Sequence, residues 1–201
     1  MEHLTLLYTQ AIAGNLALLP RLHTYLQQLK REYDPRALLL DIGGACAADV
    51  WHCQATGGQS SVIVLDGMGY HAVNVAEYMS DSRRDSLATR TSLGLVTARH
   101  MWRYFVPPVR DEDIIVAGQA TPALKLCIIA AAHSTNALEA RTLHLQSVER
   151  GQVGMVQLDL SAMQITQQAT FPMPRTIRPD ATIAAAVELV EDEARQAQGR
   201  T

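Results

Sequence analysis

The stretch from Leu4 to Gly44 constrains the fold more than any other part of the chain. An apolar run, Leu4-Thr-Leu-Leu-Tyr8, leads to a turn signal at Gly14-Asn15. From there apolar side chains fall at Leu16, Leu18, Leu19, Leu22, Tyr25, Leu26 and Leu29. Those spacings are mostly three and four, which gives a helix one apolar face. Pro20 suits an early helical turn, Lys30 and Arg31 suit the negative end of the helix dipole, and Asp34-Pro35 closes the segment. Residues 37–42 (ALLLDI) then read as a buried strand ending at Gly43-Gly44. This strand–loop–helix–strand order predicts an α/β protein, in which ligands gather beyond the carboxyl ends of the strands. The segments 9–15 and 41–44 are therefore where chemistry is expected.

The remaining chain extends that reading. Residues 45–59 have no clear period and read as a loop. Residues 60–68 and 71–76 both have strand character, but the two-residue link is too short for a parallel crossover. The first is therefore predicted as helix and the second as strand. Residues 80–99 carry a weak helical stripe at Leu87, Thr91, Leu95 and Ala98, and Pro107-Pro108 ends what precedes it. Apolar runs at 114–117, 124–131 and 153–160 predict strands, with 163–171 a hairpin partner of the last. Asp180 can cap a final helix reaching Gln196. Residues 1–201 read as a single domain: a layered α/β fold with a mixed β-sheet flanked by helices.

Composition excludes several classes of function. With a net charge of -3 and 5% aromatic residues, the chain has neither the field nor the stacking surface of a nucleic-acid binder. No run of about 18 apolar residues predicts a membrane span, and the opening MEHLTLLYTQ lacks the basic region of a signal peptide. Cys46, Cys53 and Cys127 are too few and uneven for a disulfide framework, so a reduced cytoplasmic setting is expected, with Cys46 and Cys53 pairing only if their loop allows it. Glycine-rich phosphate cradles and the serine nucleophile elbow are absent from the sequence.

Residues with metal-binding side chains are Asp41, Asp49, His52, Cys53, His71, His133 and His144. Asp41 stands at a predicted strand end and is the best-placed carboxylate, although a turn-stabilising role explains it equally well. Asp49, His52 and Cys53 share one loop without a matching second cluster. His133 follows the 124–131 run and is either a ligand or an ordinary loop histidine. His23 and His144 read as boundary and structural residues.

Three segments together resemble the catalytic domain of the 5'-nucleotidase and UDP-sugar hydrolase branch of the calcineurin-like metallophosphoesterases. They are Thr9-Gln-Ala-Ile-Ala-Gly-Asn15, Leu40-Asp-Ile-Gly-Gly44 and Met68-Gly-Tyr-His-Ala-Val-Asn-Val-Ala-Glu-Tyr78. The helix pattern LPRLHTYLQQLKREY, the stretch Gly151–Leu160 and Ile177-Arg-Pro-Asp180 are similar to the family's as well. The resemblance covers about residues 4–79 and 148–192, and the middle of the family domain is largely missing. It implies a shortened metallophosphoesterase-like fold and, in active members, two metal ions.

The departures from the family fall on the ligands. The family's Asn-Asp-x-His-Gly places its Asp on Ala11 and its His on Ala13. The metal-bridging Asp of Asp-x-Gly-Asp falls on Gly44, while Asp41 keeps the leading one. The Asn-His pair of Gly-Asn-His-Glu falls on Glu77 and Tyr78, and the later Gly-His-x-His keeps only His133. Methyl groups and a glycine donate no lone pair, and a binuclear centre needs several ligands per ion. The resemblance therefore implies a non-catalytic scaffold with no metal and no cofactor, acting as a binding or assembly module in a homo-oligomer or with a protein partner. Three other readings compete: a phosphohydrolase of nucleotides or sugar nucleotides with a site relocated to Asp41, Asp49, His52 and His133; an unrelated α/β enzyme; and a ligand-binding protein without turnover whose pocket is lined by Asn15, Asn74 and Gly43-Gly44.

Overall fold

The structure, a computed structural model, describes residues 3–105, 113–123 and 125–199. Strand β1 (His3–Thr9) is followed by a 3-10 turn (Leu16–Leu18), helix α1 (Leu19–Tyr33) and β2 (Leu38–Asp41). Then come α2 (Trp51–Thr56), α3 (Gln59–Gly67), β3 (Ala72–Asn74), α4 (Asp81–Ala88) and β4 (Gly94–Val96). Five strands follow: β5 (Trp102–Phe105), β6 (Asp113–Ala117), β7 (Leu126–His133), β8 (Ala137–Glu139) and β9 (Thr142–Gln146). The chain ends with β10 (Gln152–Asp159), β11 (Gln164–Pro172) and α5 (Ala181–Gln198).

The strands form two mixed sheets. One has the order β11-β10-β1-β2-β3-β4 and the other β5-β6-β7-β9-β8. β1, β2, β3 and β4 run parallel, whereas β10 returns antiparallel to β1 and pairs with β11 as a hairpin. The layered α/β architecture expected from the sequence is present, with its strands divided between two sheets.

The continuous apolar runs of β1 and β2 follow from this layering, since a strand buried on both faces has no solvent side on which to alternate. Leu7 and Leu39 join one apolar cluster with Leu19, Leu22 and Leu26 of α1 and with Val187 and Val190 of α5. Leu4, Leu6, Tyr8, Leu38 and Leu40 point the other way, into a second cluster with Ile114, Val116, Leu126 and Ile128 of the second sheet. Successive side chains on a strand face opposite sides, so the apolar residues of β1 divide between the two cores. The C-terminal helix closes the first layer. The Asp180 side chain accepts a hydrogen bond from the Ile183 N–H at 3.0 Å, and Arg21 of α1 donates to the carbonyls of Pro174, Arg175 and Ile177 just before it.

Several sequence expectations change here. The segment 45–59 contains α2, ended by Gly57 in the left-handed conformation. This helix brings Cys53 back to Cys46, and the two form a disulfide with Cα atoms 5.8 Å apart. The stripe across 80–99 divides into α4 and the strand β4, because Leu93, Leu95 and Val96 are buried against a sheet. Strands β5, β8 and β9 have no counterpart in the sequence reading. They have 3 to 5 residues each, and such short runs owe their conformation to pairing partners rather than to local pattern. Pro107-Pro108 and Leu124 lie outside the described residues. Among the described residues no helix is long and apolar enough to cross a membrane.

One close approach makes a test of this packing. Tyr8 and Gly154 face each other across β1 and β10, and a Cβ on Gly154 would lie 2.1 Å from Tyr8 Cζ. The Tyr8 ring is fully buried and its hydroxyl donates to Asn136 Oδ1 at 3.1 Å. It has no room to yield, so Gly154→Ala should cost about 1–3 kcal/mol in urea unfolding, as overpacking does. Gly67→Ala, at the end of α3 with open space around it, should be neutral or gain up to about 1 kcal/mol. Equal effects of the two substitutions would contradict the described packing.

Candidate functional site

The site lies where β1, β2 and β3 end side by side. Past the strand ends, the first two loops continue to pair through their backbones. Ala11 N–H donates to the Gly43 carbonyl at 2.9 Å, Ala13 N–H to Gly44 at 2.7 Å and Gly14 N–H to Ala45 at 2.9 Å. This ribbon needs unusual backbone angles. Ala11 and Ala13 have φ of 55° and 53°, in the left-handed region, which costs an L-residue about 1–2 kcal/mol each. Gly44 has φ of 70°, and a Cβ there would lie 3.2 Å from Ala11 Cα. Gln10 pins the first loop from outside, its Oε1 accepting from Ser147 Oγ and Val148 N–H.

Asp41 ends β2 and is fully buried. Its Oδ2 accepts from Thr9 Oγ1 at 3.0 Å and its Oδ1 from Gly43 N–H at 3.1 Å. Thr9 Oγ1 is also 2.9 Å from the buried Tyr70 hydroxyl. Burial raises the Asp41 carboxyl from the ordinary 3.8 to about 7, against the Thr9 and Gly43 hydrogen bonds that pull it down. The Glu77 charge pushes it further up. Burial also raises the Tyr70 and Tyr78 hydroxyls. The Tyr78 hydroxyl is buried without a hydrogen-bond partner, and its ring packs against the first apolar cluster.

Other sequence candidates fall into structural roles. His52 is buried, with Nδ1 2.7 Å from Ser60 Oγ and Nε2 2.8 Å from the Gly14 carbonyl. Asp49 and His133 are exposed. His133 Nδ1 lies 3.1 Å from the Thr135 carbonyl, and its ring is 4.8 Å from that of His144. His71 accepts the Leu39 N–H at 2.9 Å and stands beside Trp102 and Tyr104. Asn74 ties the two sheets together, donating to the Ala130 carbonyl at 2.6 Å. Among the described residues, the one group of three metal-binding side chains with ligand atoms within 4.8 Å of each other is Cys46, His52 and Cys53. Asp41, Asp49, His52 and His133 are thus not gathered into one site.

The sequence leaves the Cys46–Cys53 pairing open and the structure forms it, while the pocket beside it has no counterpart in the sequence. A cavity of about 450 Å³ is lined by Cys46, Cys53, Gly57, Glu77, Tyr78 and Ser80, among others. Asn15, Asn74 and Gly43-Gly44 do not line this cavity. The signal for the bond was the Cys-x6-Cys spacing, which becomes legible only once α2 is known.

No protein-family model and no curated protein sequence matches the chain. Solved structures do. A 5'-nucleotidase precursor from Thermus thermophilus is similar at 10% identity with a TM-score of 0.67, over 97% of this chain and 59% of that one. The NAD nucleotidase of Haemophilus influenzae is similar at 9% identity and 0.67, over 97% and 60%. A calcineurin-like phosphoesterase from Bacillus subtilis is similar at 10% identity and 0.62, over 98% and 99%. The chain spans about three fifths of the two nucleotidases. A binuclear metal centre of the kind the resemblance implies does not fit the residues present: Ala11, Ala13 and Gly44 offer no ligating side chain, the bonded loops crowd the place of a Gly44 side chain, and the Tyr78 hydroxyl is buried.

Asp41 gives a pH test with a definite sign. Its folded pKa lies above its unfolded value, so the native state holds the proton between about pH 4 and 7 and the unfolded state does not. This carboxyl therefore favours folding most at low pH, and its contribution declines as pH rises to about 7. Urea unfolding at about pH 5 and pH 8 should show Asp41→Asn gaining stability relative to the natural chain as pH rises, by an amount on the order of a few kcal/mol. Parallel profiles would contradict a protonated, buried Asp41. With its strands layered in two mixed sheets flanked by helices, this chain has the fold of the calcineurin-like phosphoesterases and 5'-nucleotidases.

Proposed function

We propose that the chain is a non-catalytic protein on a phosphoesterase scaffold, a single domain that serves as a binding or assembly module. One observation carries this reading. Where the resemblance implies an Asp, a His and a bridging Asp, this chain has Ala11, Ala13 and Gly44, and the loops bearing them are bonded to each other. Hydrolysis of a phosphoester by two metals needs ions that polarise the phosphoryl oxygen and supply hydroxide at neutral pH. Methyl groups do neither, and fold alone does not supply the activity.

Surface chemistry is consistent with a protein partner or a second copy. Ile63 of α3 and Leu189 of α5 are 38% and 60% exposed, and β11 is an open sheet edge that can accept another strand. The low net charge offers no reason for nucleic acid or an anionic membrane surface as partner. Within this reading the chain works in the cytoplasm, where a disulfide such as Cys46–Cys53 is ordinarily transient and redox-responsive. The alternative of a relocated hydrolase draws on Asp41, Asp49, His52 and His133, and their scattered positions lend it no support.

The test is an assay of the purified full chain with excess Mn²⁺ against a nucleoside monophosphate, a sugar nucleotide and a chromogenic phosphodiester. The expected result is no phosphate release above buffer, unchanged by Asp41→Asn. Turnover that Asp41→Asn abolishes would overturn the proposal.

A further inference from the structure

Short helix α2 and the loop before it bring three side chains together beside the paired loops. The Cys46 and Cys53 sulfurs and one ring nitrogen of His52 lie within 4.8 Å of one another, and all three residues are buried. In the structure the two sulfurs are bonded. Both cysteines also line the cavity of about 450 Å³ that holds Glu77 and Tyr78 on its wall, so small solutes have a route to the group.

We propose that Cys46, His52 and Cys53 form a redox-gated metal site: with the disulfide reduced they bind one thiophilic divalent cation of the zinc class, and disulfide and metal exclude one another. The reductant is a dithiol. One of its thiolates attacks a sulfur of the Cys46–Cys53 bond, that bond breaks, and a mixed disulfide forms. The second thiol of the reductant then displaces the protein sulfur, so the reductant leaves as a disulfide and two electrons and two protons remain on Cys46 and Cys53. Cation binding releases those two protons to solvent.

The donor chemistry favours such an ion. Two thiolates are soft ligands that select zinc-like cations, and with a neutral imidazole they balance a divalent charge, which suits a buried site. His52 is already arranged in the way metal-bound histidines are. Nε2 is 2.8 Å from the Gly14 carbonyl, an acceptor only, so it carries the proton and Nδ1 has the free lone pair. A metal-ligating histidine ordinarily donates its other N–H to such a carbonyl, which fixes its orientation. An ion at Nδ1 would take the place of the Ser60 hydroxyl, 2.7 Å from that nitrogen. Thr56 Oγ1, 3.1 Å from Ser60 Oγ, stands ready as its partner. Three protein ligands leave a fourth position for water or an exogenous ligand.

This site is independent of the lost family centre. A binuclear centre at the ends of β1 and β2 would load metal with the disulfide intact, whereas this site loads only after reduction. The test uses the full chain, reduced anaerobically with a dithiol, freed of reductant and titrated with Co²⁺. The expected result is one Co²⁺ per chain, with a thiolate-to-cobalt charge-transfer band in the near ultraviolet that Zn²⁺ abolishes. The disulfide form and the Cys46→Ser/Cys53→Ser chain should show no band. On the natural reduced chain, Zn²⁺ should also slow alkylation of Cys46 and Cys53, mapped by peptide mass. The proposal is overturned if the reduced, folded chain gives no band and no protection, if the band persists in the double-serine chain, or if reduction unfolds the chain and Zn²⁺ does not restore it.

Discussion

The pairing of β1 with β2 is the constraint on which the rest of the structure depends. It joins Leu6, Leu7, Tyr8 and Thr9 to Leu38, Leu39, Leu40 and Asp41 in parallel register, and it continues beyond the strands as the backbone ribbon between residues 11–14 and 43–45. The two apolar cores lie on either side of this pair. A slip of one residue would exchange the side chains that face the helices for those that face the second sheet. The same register sets Thr9 opposite Asp41 and so creates the buried hydroxyl–carboxylate contact at 3.0 Å.

Backbone geometry and side chains at the strand ends differ in what they offer chemically. Ala11 and Ala13 adopt left-handed angles that alanine does not favour, yet neither methyl side chain has a chemical use for that geometry. Backbone strain of this kind is ordinarily found at functional sites, where surrounding structure over-determines it. Here the surrounding determinants are the loop-to-loop hydrogen bonds and the Gln10 contacts to residues 147 and 148. Asp41 persists as a carboxyl held near neutrality by burial and bonded to Thr9 and Gly43. Its observed partners make it a member of the hydrogen-bond network at the strand ends.

Much of the fold was legible because its information is local. The helical spacing of Leu19, Leu22, Leu26 and Leu29, the apolar runs of β1, β2, β7 and β10, and the Asp180 cap each state their element within a few residues. Strands β5, β8 and β9 were not legible, because they are only three to five residues long and, even where β9 alternates, so short a run does not by itself declare a strand. At the site, the lack of ligating side chains at Ala11, Ala13 and Gly44 could be read plainly from the sequence. The Cys46–Cys53 bond could not, since it depends on α2 reversing the chain between the two residues. Nor could the roles of His52 and His71, whose ring nitrogens are occupied by Ser60, Gly14 and Leu39. Those contacts span 8 to 38 residues in sequence.

In the proposed reading, the ends of β1 and β2 hold no pair of metal ions. The most direct measurement is elemental analysis of the disulfide form, purified without chelator and then incubated with excess Mn²⁺ or Zn²⁺, expressed as ions per chain. The expected stoichiometry is near zero. Two ions per chain, retained through gel filtration with the Cys46–Cys53 bond intact, would contradict it.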